Sequence, residues 1–452
     1  MKIYNTLSRT VEEFTPIHPP KVGMYTCGPT VYDHMHVGNL RTFVLSDVLK
    51  RVLEDNKYSV TAVQNITDID DKIIKRAKDQ NTSIEEIAQK FTDFFIKDAE
   101  ALHINVSKEN QPKATEYVGA MIKYIQLLIE KGFAYVEKDG SVYFDISKFP
   151  EYGKLTRIEK KNLKTGTRVL SDNYEKDDIQ DFVLWKVIDD DGTKRFESPW
   201  GFGRPGWHIE CSAMSQILLG EQFDIHVGGV DLIFPHHENE IAQSEAASGK
   251  SPFVKYWVHG AHMLVDGKKM SKSLNNFFTI GDIMEKGFDP IALRYLYFQT
   301  HYRKELNFTW EALEAAQKAL SRLYAEFLSY GEAKIGCAEF EEKFHLAVTD
   351  DLNMPQALAV MWEMIASDNA KSAKAASLLK MNAVLGFGLK QQKIKKEEEL
   401  IPSDVQKLVD ERETLRKEKR FHLSDQIRNK IKKLGYDVLD QDNKTVIKKI
   451  TP

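Results

Sequence analysis

The chain has 452 residues, 42% of them hydrophobic and 29% charged, which is the composition of a globular protein long enough for several domains. No stretch approaches the ~20 consecutive apolar residues of a membrane span, and the opening MKIYNTLSRTVEEF lacks the apolar run of a secretory signal, so a cytoplasmic protein with no membrane association is expected. A net charge of −4 argues against a globally basic nucleic-acid binder, and Cys27, Cys211 and Cys337 are too few, and odd in number, for a disulfide framework.

In chain order, VGMYTC (22–27) reads as a short apolar strand, and from Asn39 onward Leu40, Val44, Val48 and Val52 recur every four residues, as on one face of a helix. YSVTAVQNIT (58–67) predicts a second strand. Strand, glycine-bearing turn, helix and strand make a βαβ unit, the start of a doubly wound parallel sheet whose ligands sit at the strand carboxyl ends. Ser83 and Glu86 are spaced as a capping box ahead of a helix carrying Ile87, Phe91, Phe94 and Phe95. Asp139-Gly140 between two aromatic and β-branched runs predicts a hairpin, hence an antiparallel module interrupting the parallel pattern.

The parallel pattern resumes at FDIHVGGVDLIFPHHENEIAQSEAASGK, with a strand ending at Gly228-Gly229 and a helix opening near Pro235 and closing at Gly249. Helical text begins near residue 309, and LKQQKIKKEEELIPSD supplies a charged, Pro-ended linker. From Ser403 onward thirteen Lys and Arg face nine Asp and Glu, leaving +4 there and −8 elsewhere; a solvated helix surface and a local RNA-facing patch both account for this. The expected fold is therefore α/β. A Rossmann-type doubly wound parallel sheet (1–120 and 201–308) is split by an inserted connective module (121–200). A helical bundle (309–389), a linker (390–402) and a small C-terminal domain (403–452) follow.

Chemistry concentrates at a few places. Cys27 alone would more often be a buried small hydrophobe than a ligand. His36-Val37-Gly38-Asn39 lies where strand turns into helix; glycine there admits a ligand to the backbone, and His36 and Asn39 can donate to a phosphate at the helix N-terminus. By itself H-x-G-N is a weak motif. GKKMSKSLNNF places Lys269 and Lys272 just after the Asp266-Gly267 turn, two cations suited to the charge on a departing pyrophosphate, or to plain solvation. His236 and Glu240 are i and i+4, so they share a helix face as two metal ligands would, or as an ordinary surface pair does.

Taken in this order, H-V-G-N and K-M-S-K-S match the H-I-G-H and K-M-S-K-S signatures of class I aminoacyl-tRNA synthetases. With GRPGWHIECSAM (203–214), FPHHENE (234–240) and NITDIDDKII (65–74), the chain resembles the cysteine-charging family among them, from KIYNTL to DQIRNKI. The resemblance implies one zinc ion per chain, held by Cys27, Cys211, His236 and Glu240, a sulfur, nitrogen and oxygen set suited to that metal. The substrate sulfur would bind the zinc, beside Cys27, with Trp207, Thr67 and Asp231 holding the rest of L-cysteine. ATP, accompanied by Mg²⁺, would meet His36, Gly38, Asn39 and Lys272, with Lys269 helping at the pyrophosphate. The cysteinyl-adenylate would then be transferred to tRNA(Cys).

In the C-terminal domain the resemblance assigns the anticodon to Arg416, Phe421, Asp425 and Asp440, which suit stacking and edge hydrogen bonds to single-stranded bases. A monomer is expected. Two departures stand out: Asn39 replaces the usual histidine and Phe421 the usual tryptophan. A cysteine ligase of mycothiol synthesis, with an amino-sugar acceptor, shares the catalytic core but lacks the anticodon-binding domain. A non-catalytic RNA-binding relative would not need His36, Lys269, Lys272 and the four zinc ligands intact. His34, His226, His237 and Cys337 receive no role.

Overall fold

The structure, a computed structural model, describes residues 1–106, 111–157, 163–169, 179–188, 194–270, 276–399, 402–441 and 444–449. An antiparallel hairpin, β1 (Lys2–Asn5) and β2 (Thr10–Glu13), opens the chain. β3 (Lys21–Thr26), α1 (Val37–Asp55) and β4 (Ser59–Gln64) form the predicted βαβ unit, β3 and β4 pairing in parallel. α1 begins two residues before Asn39, because His36 caps it by accepting the Asn39 N–H on its side chain. α1 buries Leu40, Val44, Val48 and Val52, the predicted stripe, and also Arg41 and Asp47.

α2 (Asp71–Gln80) and α3 (Ile84–Ala101) follow, capped by Asp70 and Ser83. Only half of the expected capping box forms. The Ser83 side chain accepts the Glu86 N–H, but the Glu86 carboxylate takes the Thr82 hydroxyl instead of turning back to the cap backbone.

The insertion begins with α4 (Val118–Glu130) and continues as a sheet of β5 (Ala134–Val136), β6 (Val142–Phe144), β7 (Leu163–Val169), β8 (Ile179–Val187) and β9 (Gly203–Pro205). β5 and β6 are the hairpin predicted from Asp139-Gly140. Gly140 sits at φ +90°, and a Cβ there would fall 2.4 Å from the Trp200 carbonyl oxygen, so the turn requires glycine.

α5 (Trp207–Leu219), β10 (Phe223–Gly229), α6 (Glu238–Ser248) and β11 (Val254–Gly260) restore the parallel pattern. The main sheet runs β11–β10–β3–β4, all parallel. The chain steps from β3 to β4 on one side, and after the insertion returns on the other side of β3 as β10. The switch point therefore lies between β3 and β10, at whose carboxyl ends such sheets bind ligands. α6 starts three residues after Pro235, since Phe234 is extended (φ −138°, ψ 134°), and ends on left-handed Gly249.

Next comes a small sheet of β12 (Met263–Val265), β13 (Lys268–Lys269) and β14 (Leu306–Phe308), ordered β13–β12–β14, with α7 (Ile280–Glu285) and α8 (Pro290–Phe298) between its last two strands. Arg294 of α8 is fully buried, where it pairs with Asp47 at 2.6 Å and donates to the carbonyls of Leu385 and Leu102. The helical region comprises α9 (Trp310–Ser329), α10 (Ala338–Thr349), α11 (Met354–Ala366) and α12 (Lys371–Leu385).

Contacts divide the chain into one unit of Met1–Leu323 with Tyr330–Phe387, and a second of Tyr324–Ser329 with Gly388–Pro452. The second contains α13 (Leu389–Glu399), where a linker was expected from charge alone; Lys, Gln and Glu are good helix formers. α14 (Ser403–Lys417), α15 (Phe421–Lys433), β15 (Tyr436–Gln441) and β16 (Lys444–Lys449) close around Val405, Val409, Ile427, Ile431, Tyr436 and Val438. Among the described residues, no helix is long and apolar enough to cross a membrane.

Candidate functional site

One cleft opens at the switch point. Cys27 stands immediately beyond β3, Cys211 lies in α5, and His236 and Glu240 flank the start of α6; all four are buried. Their ligand atoms lie within 4.8 Å of one another. The two sulfurs are 3.8 Å apart, Cys27 Sγ is 3.6 Å from Glu240 Oε1, and that oxygen is 3.0 Å from His236 Nε2. Two zinc–sulfur bonds of ~2.3 Å at a tetrahedral angle put their sulfurs roughly 3.8 Å apart, so the observed spacing fits a shared ion. His236 Nε2 lies 3.0 Å from Glu240 Oε1 but makes no hydrogen bond of good geometry. The residues present thus fit zinc.

Electrostatics tell the same story. Burial opposes ionisation of Glu240, yet His226 and His236 outweigh it and hold the carboxylate at about 2. Burial likewise opposes a proton on His236, but Glu240 and Cys211 raise it to about 10. The hydrogen bond from Cys27 outweighs burial and draws the Cys211 thiol down to about 6, while burial pushes the Cys27 thiol up. Without metal the four groups therefore carry two negative charges and one positive, an arrangement that takes up a cation and releases the protons of Cys27 and His236.

A shell of histidines, missed by the sequence reading, orients this set. His226 Nε2 lies 2.9 Å from Glu240 Oε2, and its ring stacks on Trp257 at 4.7 Å. His208 and His236 share an Nδ1–Nδ1 hydrogen bond of 2.9 Å. His237 bridges Cys27 Sγ (3.3 Å) and His259 Nε2 (2.7 Å). Cys27, His226, His237 and Glu240 also lie close enough to form a donor set. In this second set His226 and His237 bond to Glu240 and Cys27 themselves, and the two sets share Cys27 and Glu240.

The same cleft is lined by Thr67, Trp207 and Asp231. The Thr67 hydroxyl donates to buried Glu210 at 2.8 Å and receives the Asn65 amide at 3.3 Å; the Trp207 ring lies 4.2 Å from that of His236. Asn65 also accepts the Gly28 N–H, and a Cβ on Gly28 would fall 1.5 Å from the Asn65 carbonyl oxygen, so the chain leaving Cys27 passes only as glycine. Lys72 of α2, unnoticed in sequence, reaches the cleft too.

At the rim, His36 Nδ1 accepts the Asn39 N–H at 3.0 Å, which leaves the imidazole proton on Nε2. Burial pulls its pKa down to about 4, so the ring is neutral at pH 7. A Cβ on Gly38 would lie 3.0 Å from the His36 ring, so glycine here makes room for the capping imidazole; Gly38 itself does not line the cleft. The side chain of Asn39 is exposed and lines the cleft. Lys269 is exposed in β13, and Lys272 lies outside the described residues. His34, in the same loop, packs against Phe91 and Phe94.

In the second unit, Phe421 and Asp425 sit one turn apart on the exposed face of α15. Asp440 is already engaged: both its oxygens accept from buried Arg412, at 3.0 and 2.7 Å, with Arg416 at 3.4 Å. The Arg412 bonds hold its carboxyl below the usual range.

A family model described as tRNA synthetases class I (C) catalytic domain matches residues 13–318. The chain is 46% identical over 474 residues to the cysteine–tRNA ligase of Chlamydia muridarum, covering 99% of each, and 44% identical over 473 residues to that of Caldicellulosiruptor saccharolyticus, covering 100% of each. The solved methionyl-tRNA synthetase of Mycobacterium tuberculosis in complex with methionyl-adenylate superposes with TM-score 0.60 over 83% of this chain and 93% of that one; at 14% identity this likeness shows the fold alone.

Proposed function

The chain belongs to the cysteine–tRNA ligase family of class I aminoacyl-tRNA synthetases, and we propose that the cleft beyond β3 and β10 is where it activates L-cysteine with ATP before passing it to tRNA(Cys). The observation that carries this reading is the convergence of Cys27, Cys211, His236 and Glu240, the first three lining the cleft that His36 and Asn39 also line.

In the first step an oxygen of the cysteine carboxylate attacks the α-phosphorus of ATP. The bond from that phosphorus to the bridging oxygen breaks, pyrophosphate leaves with the electron pair, and cysteinyl-adenylate remains. A terminal ribose hydroxyl of tRNA then attacks the carbonyl carbon and AMP departs. Neither step needs a protein nucleophile, so the chain contributes position and charge.

His36 donates its Nε2–H to a phosphate oxygen, and the N-terminus of α1 behind it supplies partial positive charge. Gly38 presents bare backbone and Asn39 an amide N–H. Lys269 and Lys272 neutralise the leaving pyrophosphate, with Mg²⁺ accompanying the nucleotide. Asp231 faces the substrate ammonium, and Thr67, fixed by Glu210 and Asn65, shapes the space beside it. Cys27, Cys211, His236 and Glu240 would hold one zinc ion, which would supply a soft site for the substrate sulfur that the hydroxyl of serine would fill poorly.

Arg416, Phe421, Asp425 and Asp440 are proposed to read the anticodon, Asp440 as a group oriented by Arg412. The amino-sugar acceptor is not favoured, since the ligases of tRNA match the chain through this C-terminal unit. Aminoacylation of bulk tRNA tests the reading. Cysteine should be charged and serine not, with cysteine charging lost on chelation and restored by zinc. Charging with serine, or none with zinc present, refutes it.

A further inference from the structure

Arg41 lies two residues past Asn39 in the first turns of α1, is 6% exposed, and lines no part of the cleft. Its guanidinium spans two loops: one NH2 group donates to the carbonyls of Ala261 (2.9 Å) and His262 (3.0 Å), the other to those of His301 (3.3 Å) and Lys304 (2.8 Å). Ala261 and His262 are the whole connection between β11 and β12, and 301–304 lead into β14. The loops are also joined by Ala261 N–H to Tyr302 O at 2.8 Å and Leu306 N–H to His262 O at 3.2 Å. Together they form the root of the sheet whose edge strand carries Lys268 and Lys269.

Four carbonyl oxygens converge on one buried cation. Burial pulls its pKa down to about 10, which leaves it charged at pH 7. Their dipoles need several donors in a planar fork; guanidinium offers five, whereas ammonium offers three from a single point. The same turn of α1 meets the lysine hairpin again just past β13, where Met270 Cε lies 3.5 Å from the position of a Gly38 Cβ. Two further bonds fix the corner itself: Val37 N–H donates to Phe278 O at 2.9 Å, and the Tyr297 hydroxyl donates to Val37 O at 2.6 Å. By contrast, Cys27, Cys211, His236 and Thr67 are held by β3, α5, α6 and their histidines, none of which Arg41 touches.

We infer that Arg41 is a positioning residue for ATP: it fixes the lysine-bearing hairpin to the first turn of α1, so that the two phosphate-binding segments keep one spacing. The inference rests on the ATP-dependent activation proposed above. The test uses the full chain with zinc, comparing wild type, Arg41→Lys and Arg41→Gln in cysteine-dependent pyrophosphate exchange and in hydrogen exchange of the amides of residues 262–269. Both variants should raise the KM for ATP about tenfold, Gln more than Lys, while the KM for cysteine stays within about twofold. Amide exchange in 262–269 should quicken. Unchanged KM for ATP, equal rises in both KM values, or unchanged amide exchange would each overturn the inference. A wild-type chain without pyrophosphate exchange would instead refute the activation reading, while the amide measurement would still decide whether Arg41 tethers the hairpin. If Arg41→Gln does not fold, Arg41→Lys suffices for every arm.

Discussion

The floor and the rim of the cleft are built in opposite ways. At the floor Cys27, Cys211, His236 and Glu240 are buried, and His226, His208 and His237 hold three of them with further buried hydrogen bonds. At the rim Asn39 is exposed and His36 half-buried, oriented by the backbone it caps. Sulfur and oxygen differ too little in shape for a compliant site to separate them, so selection calls for ligands that cannot relax. On the proposed reading, pyrophosphate carries its charge away, and an exposed cation such as Lys269 can follow it.

The comparison makes a floor mutation costlier than a rim mutation, and four experiments can break or sharpen it. Cys211→Ser removes a soft ligand from a site with no spare donor of its kind, so bound zinc should fall below about a tenth per chain and cysteine-dependent exchange by about 10³-fold or more. Metal analysis beside the exchange assay checks both; retained zinc with normal rate would show that Cys211 is no ligand. His226→Leu leaves the ligands in place but frees one Glu240 oxygen, for an expected ~10–100-fold loss of zinc affinity in a chelator competition. Asn39→His should change the adenylation rate by less than about tenfold, against the ~100-fold expected from deleting a transition-state donor.

The smallest effect is a pH dependence that should be absent. With the His36 pKa depressed to about 4 by burial, nitrogen-15 NMR of the imidazole should show the Nε2–H tautomer unchanged from pH 8 down to about 5. An imidazolium at pH 6 would contradict the cap geometry. The linked effect on stability has a definite sign. The unfolded chain protonates His36 below ~6.5, the folded chain only near 4, so this group's contribution is present above pH ~6.5 and is lost as pH falls toward 4.

The rim was more legible in sequence than the floor. Hydrophobic period and turn residues announce β3, α1 and β4, so a strand-to-helix corner at His36 follows from local pattern. The i and i+4 spacing also predicts that His236 and Glu240 face each other. Cys27 and Cys211, however, lie 184 residues apart, and only the crossover that brings β10 beside β3 unites them; without the family resemblance nothing local marks the site. His226 and His237 received no role because only the fold joins them to Glu240, 14 residues from His226, and to Cys27, 210 residues from His237. The capping box failed by half since Thr82, one residue earlier, offered Glu86 a competing hydroxyl. The resemblance assigned Asp440 to the anticodon but gave no sign of Arg412, 28 residues before it, which bonds its carboxylate.

The central claim is that selection of cysteine happens at the four-residue floor through the substrate's sulfur. Zinc K-edge X-ray absorption of the zinc-loaded chain, with and without L-cysteine, tests it most directly. Two sulfur neighbours at ~2.3 Å are expected without substrate, and three with it, serine producing no change. A sulfur count that stays at two when cysteine is bound would contradict the account.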